Sequence, residues 1–264
     1  MKGKIGGMKG DWLHGVLAAR TAGRCVTWPE SPLPGRGTAV AIAPHPDDPD
    51  AVAVTLRLLH QGGWAVHWLV LASGWSGVLD DIVGPDRHTK GRLREDEERA
   101  AAVLFGLPDG RLSFLRLAED DAGRLENSAE NRSRLGAALS ALTPDLVMLP
   151  HGEDSNADHR LAFAWATAWM RAWPHPVVGL GNEDPKTQGF IPHLAVQFGA
   201  GTAQWKAQVL ECHRSQSLRN QRTRGHNFAE RILAVNRRGL PDGLYAERFQ
   251  AVGTLEGQHD ESAR

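Results

Sequence analysis

Residues 39–50, AVAIAPHPDDPD, decide the fold and indicate the chemistry. The apolar run at residues 39–43 has the length and composition of a buried strand, and it stops at Pro44. From Ala51 onward the apolar residues take helical spacing, so the polar residues between them lie on a turn that joins a strand to a helix. In open α/β sheets, this carboxyl end of a strand is where ligands bind.

The turn offers a histidine and adjacent carboxylates, which are donors that suit a zinc ion. Neighbouring residues on a tight turn point in different directions, so His45 and Asp48 can bind a metal while Asp47 acts as general base. A catalytic zinc takes three protein ligands and lowers the pKa of a bound water to about 7. The alternative is that Asp48 or Asp50 only caps the helix and that His45 fills space.

A second strand-to-helix junction supplies the third ligand. Residues 145–150, DLVMLP, predict another buried strand, and a polar stretch precedes a helix rich in Ala, Trp and Phe. His159 lies just inside the start of that helix, again on the carboxyl side of a strand. Alone it would more often be a surface residue. Combined with the first turn, it completes a predicted site of His45, Asp48 and His159 for zinc or another divalent transition metal.

These residues resemble the PIG-L/LmbE-like family of zinc-dependent N-deacetylases. The sequence HPDD follows the first strand at residues 45–48, and DHR at residues 158–160 opens a downstream helix. Weaker matches are Arg94 with Glu97, HRSQ at residues 213–216 and YAERF at residues 245–249. The resemblance spans roughly residues 38–249.

The resemblance implies the same metal ligands and the same base, Asp47, and it adds Arg94 as a substrate contact near a helix start. It implies that the chain removes an N-acetyl or N-acyl group from a GlcNAc-type amino sugar or glycoconjugate. The residues alone support only metal-assisted hydrolysis by a water that Asp47 activates. Two alternatives stay open: an amidase of the same fold acting on thiol-conjugate or antibiotic amides, and a non-catalytic sugar- or nucleotide-binding domain.

Two positions depart from the family pattern. Pro49 stands where the family usually has Glu, and Asn156 stands where it often has a histidine assigned to oxyanion stabilisation. Asn156 can donate a hydrogen bond but does not titrate, and it can also serve only as a helix cap. If another histidine has taken over the role, His151 is the first candidate and His213 the second.

A second predicted strand, residues 64–72, ends at Ser73 and Gly74. Glycine there permits close approach of backbone or ligand, which makes both residues candidate substrate contacts. The following stretch, residues 75–89, is long for a connection in a compact domain, and such loops are often functional. Trp75 in this loop can stack on a sugar face or pack within the protein, and both roles stay open.

Strands and helices alternate along the chain. The charged sequence RLREDEER at residues 92–99 predicts the solvated half of a helix that runs to residue 106. Further predicted strands cover residues 111–115 and 193–198, and further helices residues 127–142, 158–173, 202–216 and 227–236. The alternation predicts a single Rossmann-like, doubly wound α/β fold, in which helices flank a mainly parallel sheet. No GxGxxG follows the first strand, so a dinucleotide-binding function is disfavoured.

Composition bounds the class of protein. With 264 residues, 41 % of them hydrophobic, the chain suits one α/β domain, residues 37–264, with an extension at residues 1–36 packed on it. The 31 acidic and 30 basic residues nearly cancel, so nothing suggests nucleic acid or an anionic membrane as partner. Two cysteines form no disulfide framework, and no apolar run is long enough for a membrane span. We therefore predict a cytoplasmic enzyme with a small-molecule substrate and leave its oligomeric state open.

Overall fold

The computed structural model describes residues 11–253, which form one eight-stranded sheet with helices on both faces. The strands are β1 (Val26–Trp28), β2 (Thr38–Ala43), β3 (Ala65–Val70), β4 (Leu112–Phe114), β5 (Leu146–Pro150), β6 (Val178–Asn182), β7 (Leu194–Gly199) and β8 (Leu244–Val252). The helices of this part of the chain are α1 (Asp11–Thr21), α2 (Ala53–Gln61), α3 (Asp80–Val83), α4 (Arg87–Phe105), α5 (Ala129–Leu142), α6 (Ala157–Ala172), α7 (Ala200–Glu211), α8 (Arg214–Arg224) and α9 (Phe228–Arg237). None of these helices is long and apolar enough to cross a bilayer.

The order of the strands creates a crevice at the centre of the sheet. The order is β1-β7-β8-β6-β5-β2-β3-β4, and β8 alone of these strands runs antiparallel to its neighbours. From β2 the chain adds β3 and β4 on one side and then places β5 on the other. The carboxyl ends of β2 and β5 therefore flank a topological switch point, where open α/β sheets bind ligands. The predicted doubly wound, mainly parallel fold is confirmed.

The two faces of the sheet carry separate hydrophobic cores. Ala39 and Ala41 of β2 face one core, to which α1, α2 and α7 contribute. Val40 and Ile42 face the other core, to which α5 and α6 contribute. Because central strands of a parallel sheet are buried on both faces, they are apolar throughout instead of alternating. This explains why β2 and β5 could be predicted from short apolar runs.

The described part of the N-terminal extension lies against the sheet. Helix α1 buries Trp12, Leu13 and Val16, and the indole Nε1 of Trp12 donates to the carbonyl oxygen of Pro34 at 3.1 Å. Strand β1 pairs in parallel with β7 and forms one edge of the sheet. The sequence did not predict β1, and the division of the chain at residue 37 stays a prediction. Residues 1–10 of the extension lie outside the described residues.

The predicted single helix over residues 202–216 is wrong, because the helix is interrupted between the end of α7 at Glu211 and the start of α8 at Arg214. His213 lies at the break, is fully buried, and is hydrogen-bonded through Nε2 to Asp50 Oδ2. Neither glycine nor proline marks this break in the sequence. The contact with Asp50 joins residues far apart in the chain, so local spacing could not reveal it.

The predicted long loop over residues 75–89 is largely helical. It contains a 3-10 turn at Trp75–Gly77 and the short helix α3, and α4 begins at Arg87 instead of residue 92. Asp86 is the N-cap of α4, since its carboxylate accepts the backbone N–H of Thr89 at 2.7 Å. The connection is therefore a structured segment beside the crevice.

The predicted solvated face at residues 92–99, from which the resemblance excepts Arg94, is wrong for three of its other six charges. The side chains of Glu95, Glu97 and Glu98 are buried on α4, as is that of Arg94. Those of Arg92, Asp96 and Arg99 are exposed. Each buried side chain has found a partner: for example, Glu97 accepts both the backbone N–H and the hydroxyl of Ser215, at 2.7 and 2.6 Å. Charged residues are seldom buried unless they are paired, and the partners come from distant segments. Helical charge spacing alone does not distinguish such a face from a solvated one.

Candidate metal centre and catalytic turn

The HPDD turn at residues 45–48 closes on itself directly after β2. The backbone N–H of His45 donates to Asp48 Oδ2 at 2.8 Å, so that carboxylate turns back over the crevice. The Asp48 side chain makes no capping hydrogen bond to the 3-10 helix at Pro49–Val52 that follows. Asp50 is fully buried and contacts His213 instead. Neither Asp48 nor Asp50 therefore acts as the helix cap of the alternative interpretation.

Three ligand atoms from two elements converge in the crevice. One donor atom each from His45, Asp48 and His159 lie within 4.8 Å of one another. His159 Nε2 is 3.4 Å from Asp48 Oδ1, and His45 Nδ1 is 3.7 Å from Asp48 Oδ2. Ligands held at about 2.0–2.2 Å in a tetrahedral zinc site are roughly 3.3–3.6 Å apart. The spacing therefore fits a transition-metal ion.

Both imidazoles are oriented by carboxylates on their far nitrogens. His45 Nε2 is 2.9 Å from Asp158 Oδ2, and His159 Nδ1 is 3.0 Å from Asp154 Oδ2. A carboxylate in this position holds a proton on the far nitrogen and leaves the lone pair of the near nitrogen for a metal. The sequence analysis did not assign this role to Asp154 or Asp158. Their place in the same polar stretch as His159 was the available signal.

Charge at the ligand cluster is strongly coupled. Burial acts to raise the pKa of Asp48, but attraction to His159 and His45 outweighs it and holds this pKa well below its ordinary value. Burial acts to lower the pKa of His159, but Asp48 and Asp154 raise it to about 10. Without a metal, the cluster therefore holds a proton in the place of a cation, as expected of a site built to bind one.

Asp47 lies beside the cluster in a constrained conformation. Its φ of +101° is in the left-handed region, which non-glycine residues adopt only when their surroundings enforce it. Glu98 Oε2 accepts the backbone N–H of Asp47 at 2.8 Å, and Arg94 Nη2 lies 2.8 Å from Asp47 Oδ1. The other carboxylate oxygen, Oδ2, forms no hydrogen bond with the described residues. One oxygen is thus fixed and the other is available to a water.

The sequence around this site matches a known protein family. Residues 40–170 match the family model described as PIG-L, GlcNAc-PI de-N-acetylase. Residues 40–170 of this chain belong to the PIG-L family. The matched stretch of this PIG-L chain contains the HPDD turn, Asp47 and all three candidate ligands. It ends before α7, α8 and α9. No curated protein matches the chain at a significant level.

Solved structures share the fold of this PIG-L chain at low sequence identity. An N,N'-diacetylchitobiose deacetylase from Pyrococcus horikoshii is 20% identical, with a TM-score of 0.66, over 81% of this chain and 83% of that one. A deacetylase triple mutant from the teicoplanin pathway is 19% identical, with a TM-score of 0.67, over 82% and 98%. GalB from Pseudomonas putida KT2440, a 4-carboxy-2-hydroxymuconate hydratase, is 17% identical, with a TM-score of 0.59, over 82% and 96%. The fold therefore hosts more than one reaction.

Arg94 occupies a different place in the PIG-L chain from an open substrate contact. Its side chain is 4% exposed and donates to the carbonyl oxygens of Gly74, at 2.9 Å, and Pro46, in addition to Asp47. A Cβ on Gly74 would lie 2.1 Å from Arg94 Nη1, so the glycine is required by the approach of this arginine. The Ser73 hydroxyl donates to Glu119. The contacts of Arg94 therefore fix the HPDD turn against α4 and the segment after β3.

Trp75 is partly covered in the PIG-L chain. The guanidinium of Arg87 lies 4.6 Å from the centre of its ring, and a Cβ on Gly123 would be 2.9 Å from Trp75 Cε2. These contacts give Trp75 the packing role, and stacking on a sugar face stays a prediction.

The three candidates for the missing oxyanion donor lie in different surroundings. His151 has both ring nitrogens engaged, with Gln250 Oε1 and the backbone N–H of Glu153. His213 is fully buried behind the turn. Asn156 caps α6 through Oδ1, but its Nδ2 donates to no described residue and its side chain is half-buried. Only Asn156 of the three combines an uncommitted donor with access to solvent.

Proposed function

We propose that this PIG-L chain is a metal-dependent hydrolase that removes an N-acetyl or N-acyl group from a GlcNAc-type amino sugar or glycoconjugate. The observation that carries the proposal is the convergence of His45, Asp48 and His159 beside the half-free carboxylate of Asp47. Family membership supports the deacetylase class. The domain that does this is residues 37–264, with residues 1–36 as an extension.

The donor set fits zinc, because imidazole and carboxylate are common ligands of catalytic zinc. Another divalent transition metal would use the same three residues. When bound, the metal supplies a Lewis acid and lowers the pKa of a coordinated water. Asp154 and Asp158 keep the ligand rings in place for it.

Asp47 performs the proton transfers in this proposal. Arg94 fixes Oδ1, so Oδ2 faces the attacking water, takes its proton and later delivers a proton to the leaving amine. Asn156 Nδ2 donates to the acyl oxygen, on which negative charge develops during attack. Without such proton transfer the amine would be a poor leaving group.

The test is a deacylation screen with metal content determined in the same samples. The substrates are GlcNAc, chitobiose, GlcNAc-inositol, GlcNAc-malate and acylated glycopeptides, with free amine and released acid as readouts. Asp47→Asn is the inactive control, and Asp96→Asn, an exposed carboxylate on α4, is the matched control. We expect amine release by the wild type and by Asp96→Asn. A protein that binds metal stoichiometrically but hydrolyses none of these amides would contradict the proposal and favour a binding domain.

Amides of thiol conjugates and antibiotics belong in the same screen. An amidase of this fold would use the same ligands and base, so the residues do not separate the two enzyme functions. Turnover of such an amide with no turnover of any amino sugar would replace the proposed substrate class with this alternative.

A further inference from the structure

Four cationic side chains near the metal centre have no ion-pair partner among residues 11–253. They are Lys186 in the segment after β6, Arg219 and Arg224 on α8, and Arg231 on α9. Two other arginines of these helices are paired, Arg222 with Asp81 and Arg237 with Asp242. Arg214, at the exposed start of α8, also has no ion pair among the described residues.

Two of these guanidiniums converge on one neutral oxygen. Asn220 Oδ1 accepts from Arg224 Nη1 at 3.2 Å and from Arg231 Nη1 at 3.4 Å. Asn220 is buried, and its Nδ2 donates to the carbonyl oxygen of Gln216 at 2.9 Å. Gln216 Nε2 in turn donates to Gly77 O at 3.2 Å, in the segment that follows β3. The cluster is thus anchored to the segment after β3, to which Arg94 of α4 also donates a hydrogen bond at Gly74.

The Asp47 carboxylate of the catalytic turn acts on two arginines of the cluster. Burial lowers the pKa of Arg219, and so does repulsion from Arg224 and Arg94, while Asp47 acts to raise it. Burial also lowers the pKa of Arg231, while the carboxylates of Asp184 and Asp47 act to raise it. Both side chains are half-buried.

Lys186 extends the cluster on the other side of the metal centre. Its charge acts on the carboxylates of Asp48, Asp154 and Asp184. Its carbonyl oxygen accepts the backbone N–H of Ser155 at 3.1 Å, which ties its segment to the polar stretch before α6. Cations from three segments, the one after β6, α8 and α9, therefore lie close enough to act on carboxylates of the site.

We propose that Arg219 and Arg231, assisted by Arg224 and Lys186, bind an anionic group, phosphate or carboxylate, on the part of the substrate that leaves with the amine. Guanidinium groups match both anions by charge-assisted, bidentate hydrogen bonds. The inference rests on the proposed function and deepens it, since it makes the substrate an anionic conjugate of an N-acyl amino sugar. The three arginines lie outside the residues that the family model matches, 40–170.

The first test compares three GlcNAc derivatives that carry a neutral group, a carboxylate or a phosphate at C1. They are the carbamoylmethyl glycoside of GlcNAc, which is neutral, its carboxymethyl glycoside, which has nearly the same size, and GlcNAc 1-phosphate. We expect kcat/KM of the wild type to favour at least one anionic substrate over the neutral one by about tenfold or more. The better of the two anions identifies the group. Equal kcat/KM values for all three would overturn the inference while leaving the proposed function intact.

The arginine variants assign that preference. Arg219→Gln and Arg231→Gln should each lower the ratio of anionic to neutral kcat/KM by about tenfold, and added salt should lower it in the wild type. Arg237→Gln, an exposed residue paired at the far end of α9, is the matched control and should keep the ratio. Arg224→Gln, at an exposed position, replaces the half-buried variants if these fail to fold. A preference that survives all these variants would overturn the inference.

A binding measurement keeps the test independent of turnover. GlcNAc 1-phosphate and GlcNAc are titrated calorimetrically into the metal-loaded wild type and Arg231→Gln. We expect tighter binding of the phosphate by the wild type alone. That result without hydrolysis would support the anion subsite and contradict the proposed function. Phosphate binding of the same strength in both proteins would attribute it to the metal and overturn the inference.

Discussion

Arg94 Nη2 lies 2.8 Å from Asp47 Oδ1, and the Arg94 side chain is 4% exposed. A buried arginine on α4 thus holds the carboxylate that we assign as the base, whereas the family resemblance implies a substrate contact. Arg94 also donates to the carbonyl oxygens of Pro46 and Gly74. It therefore fixes the turn after β2 relative to the turn after β3. Its role in the account is to position Asp47.

Replacing Arg94 should therefore affect turnover more than substrate binding. In Arg94→Ala we expect kcat to fall by about 10- to 100-fold with little change in KM, because Asp47 loses the contact that aims it. Arg92→Ala, an exposed neighbour on α4, is the matched control. Metal content and circular dichroism establish that the variant is folded and loaded. A raised KM at unchanged kcat would return Arg94 to the role of a substrate contact.

The carboxylates behind the ligand rings should tune metal affinity. Asp158→Asn and Asp154→Asn should each weaken metal binding by about 10- to 100-fold, since such partners orient the ring and raise its basicity. The measurement is competition with a chromophoric chelator. Asp109→Asn, at an exposed turn position, serves as control. Wild-type affinity in both variants would show that His45 and His159 need no such support.

Two roles of Asn156, as helix cap and as oxyanion donor, can be tested separately. Asn156→Ser keeps a good cap but is too short to donate across the crevice, while Asn156→Ala loses both. We expect kcat/KM to fall by about tenfold or more in both variants, but the melting temperature to fall only in Asn156→Ala. The loss stays below the roughly 2.7–4 kcal/mol of a lone oxyanion donor, because the metal shares the charge. A wild-type rate in Asn156→Ser would leave Asn156 only the cap.

His213 should contribute to stability with a defined dependence on pH. Burial acts to lower its pKa, but Asp50 and Glu98 raise it to about 9, above the value of about 6.5 in an unfolded chain. The stabilisation is therefore complete below about pH 6.5 and is lost as the pH rises through about 9. We expect the melting temperature of the wild type to fall over this interval, and His213→Gln to be less stable at pH 6 with a shallower fall.

The competing role for His213 predicts something different. If it were the oxyanion donor, His213→Gln would keep the wild-type melting curve and lose an alkaline limb of kcat/KM. Enzyme assays and melting curves on the same samples distinguish the two roles.

The sequence revealed the parts of the site that follow from local pattern. β2 and β5 are short apolar runs that end in polar turns, so His45, Asp48 and His159 could be assigned to the carboxyl ends of strands. That the two strands are neighbours follows from the strand order, which no local pattern encodes. Their convergence was inferred from the chemistry of the side chains and from the family resemblance.

The parts that the sequence missed depend on contacts between distant segments. The charges of α4 have the spacing of a solvated helix. Glu98 is nevertheless buried, and its carboxylate accepts the backbone N–H of Asp47, whose φ lies in the left-handed region. The interruption before α8 has no glycine or proline, yet His213 is buried there and hydrogen-bonded to Asp50. β8 carries the fully buried Glu247, whose carboxylate pairs with the buried Lys206. Buried charged pairs interrupt the apolar patterns by which elements are predicted.

The central claim is that the two adjacent carboxylates of the turn have different tasks, with Asp48 binding the metal and Asp47 handling the proton. Asp47→Asn and Asp48→Asn are matched changes one residue apart. Metal content and kcat measured together on both variants test the claim most directly. We expect Asp47→Asn to keep its metal and lose about 10²- to 10⁴-fold in kcat, and Asp48→Asn to be purified without metal. Loss of metal from Asp47→Asn with retention in Asp48→Asn would contradict the account.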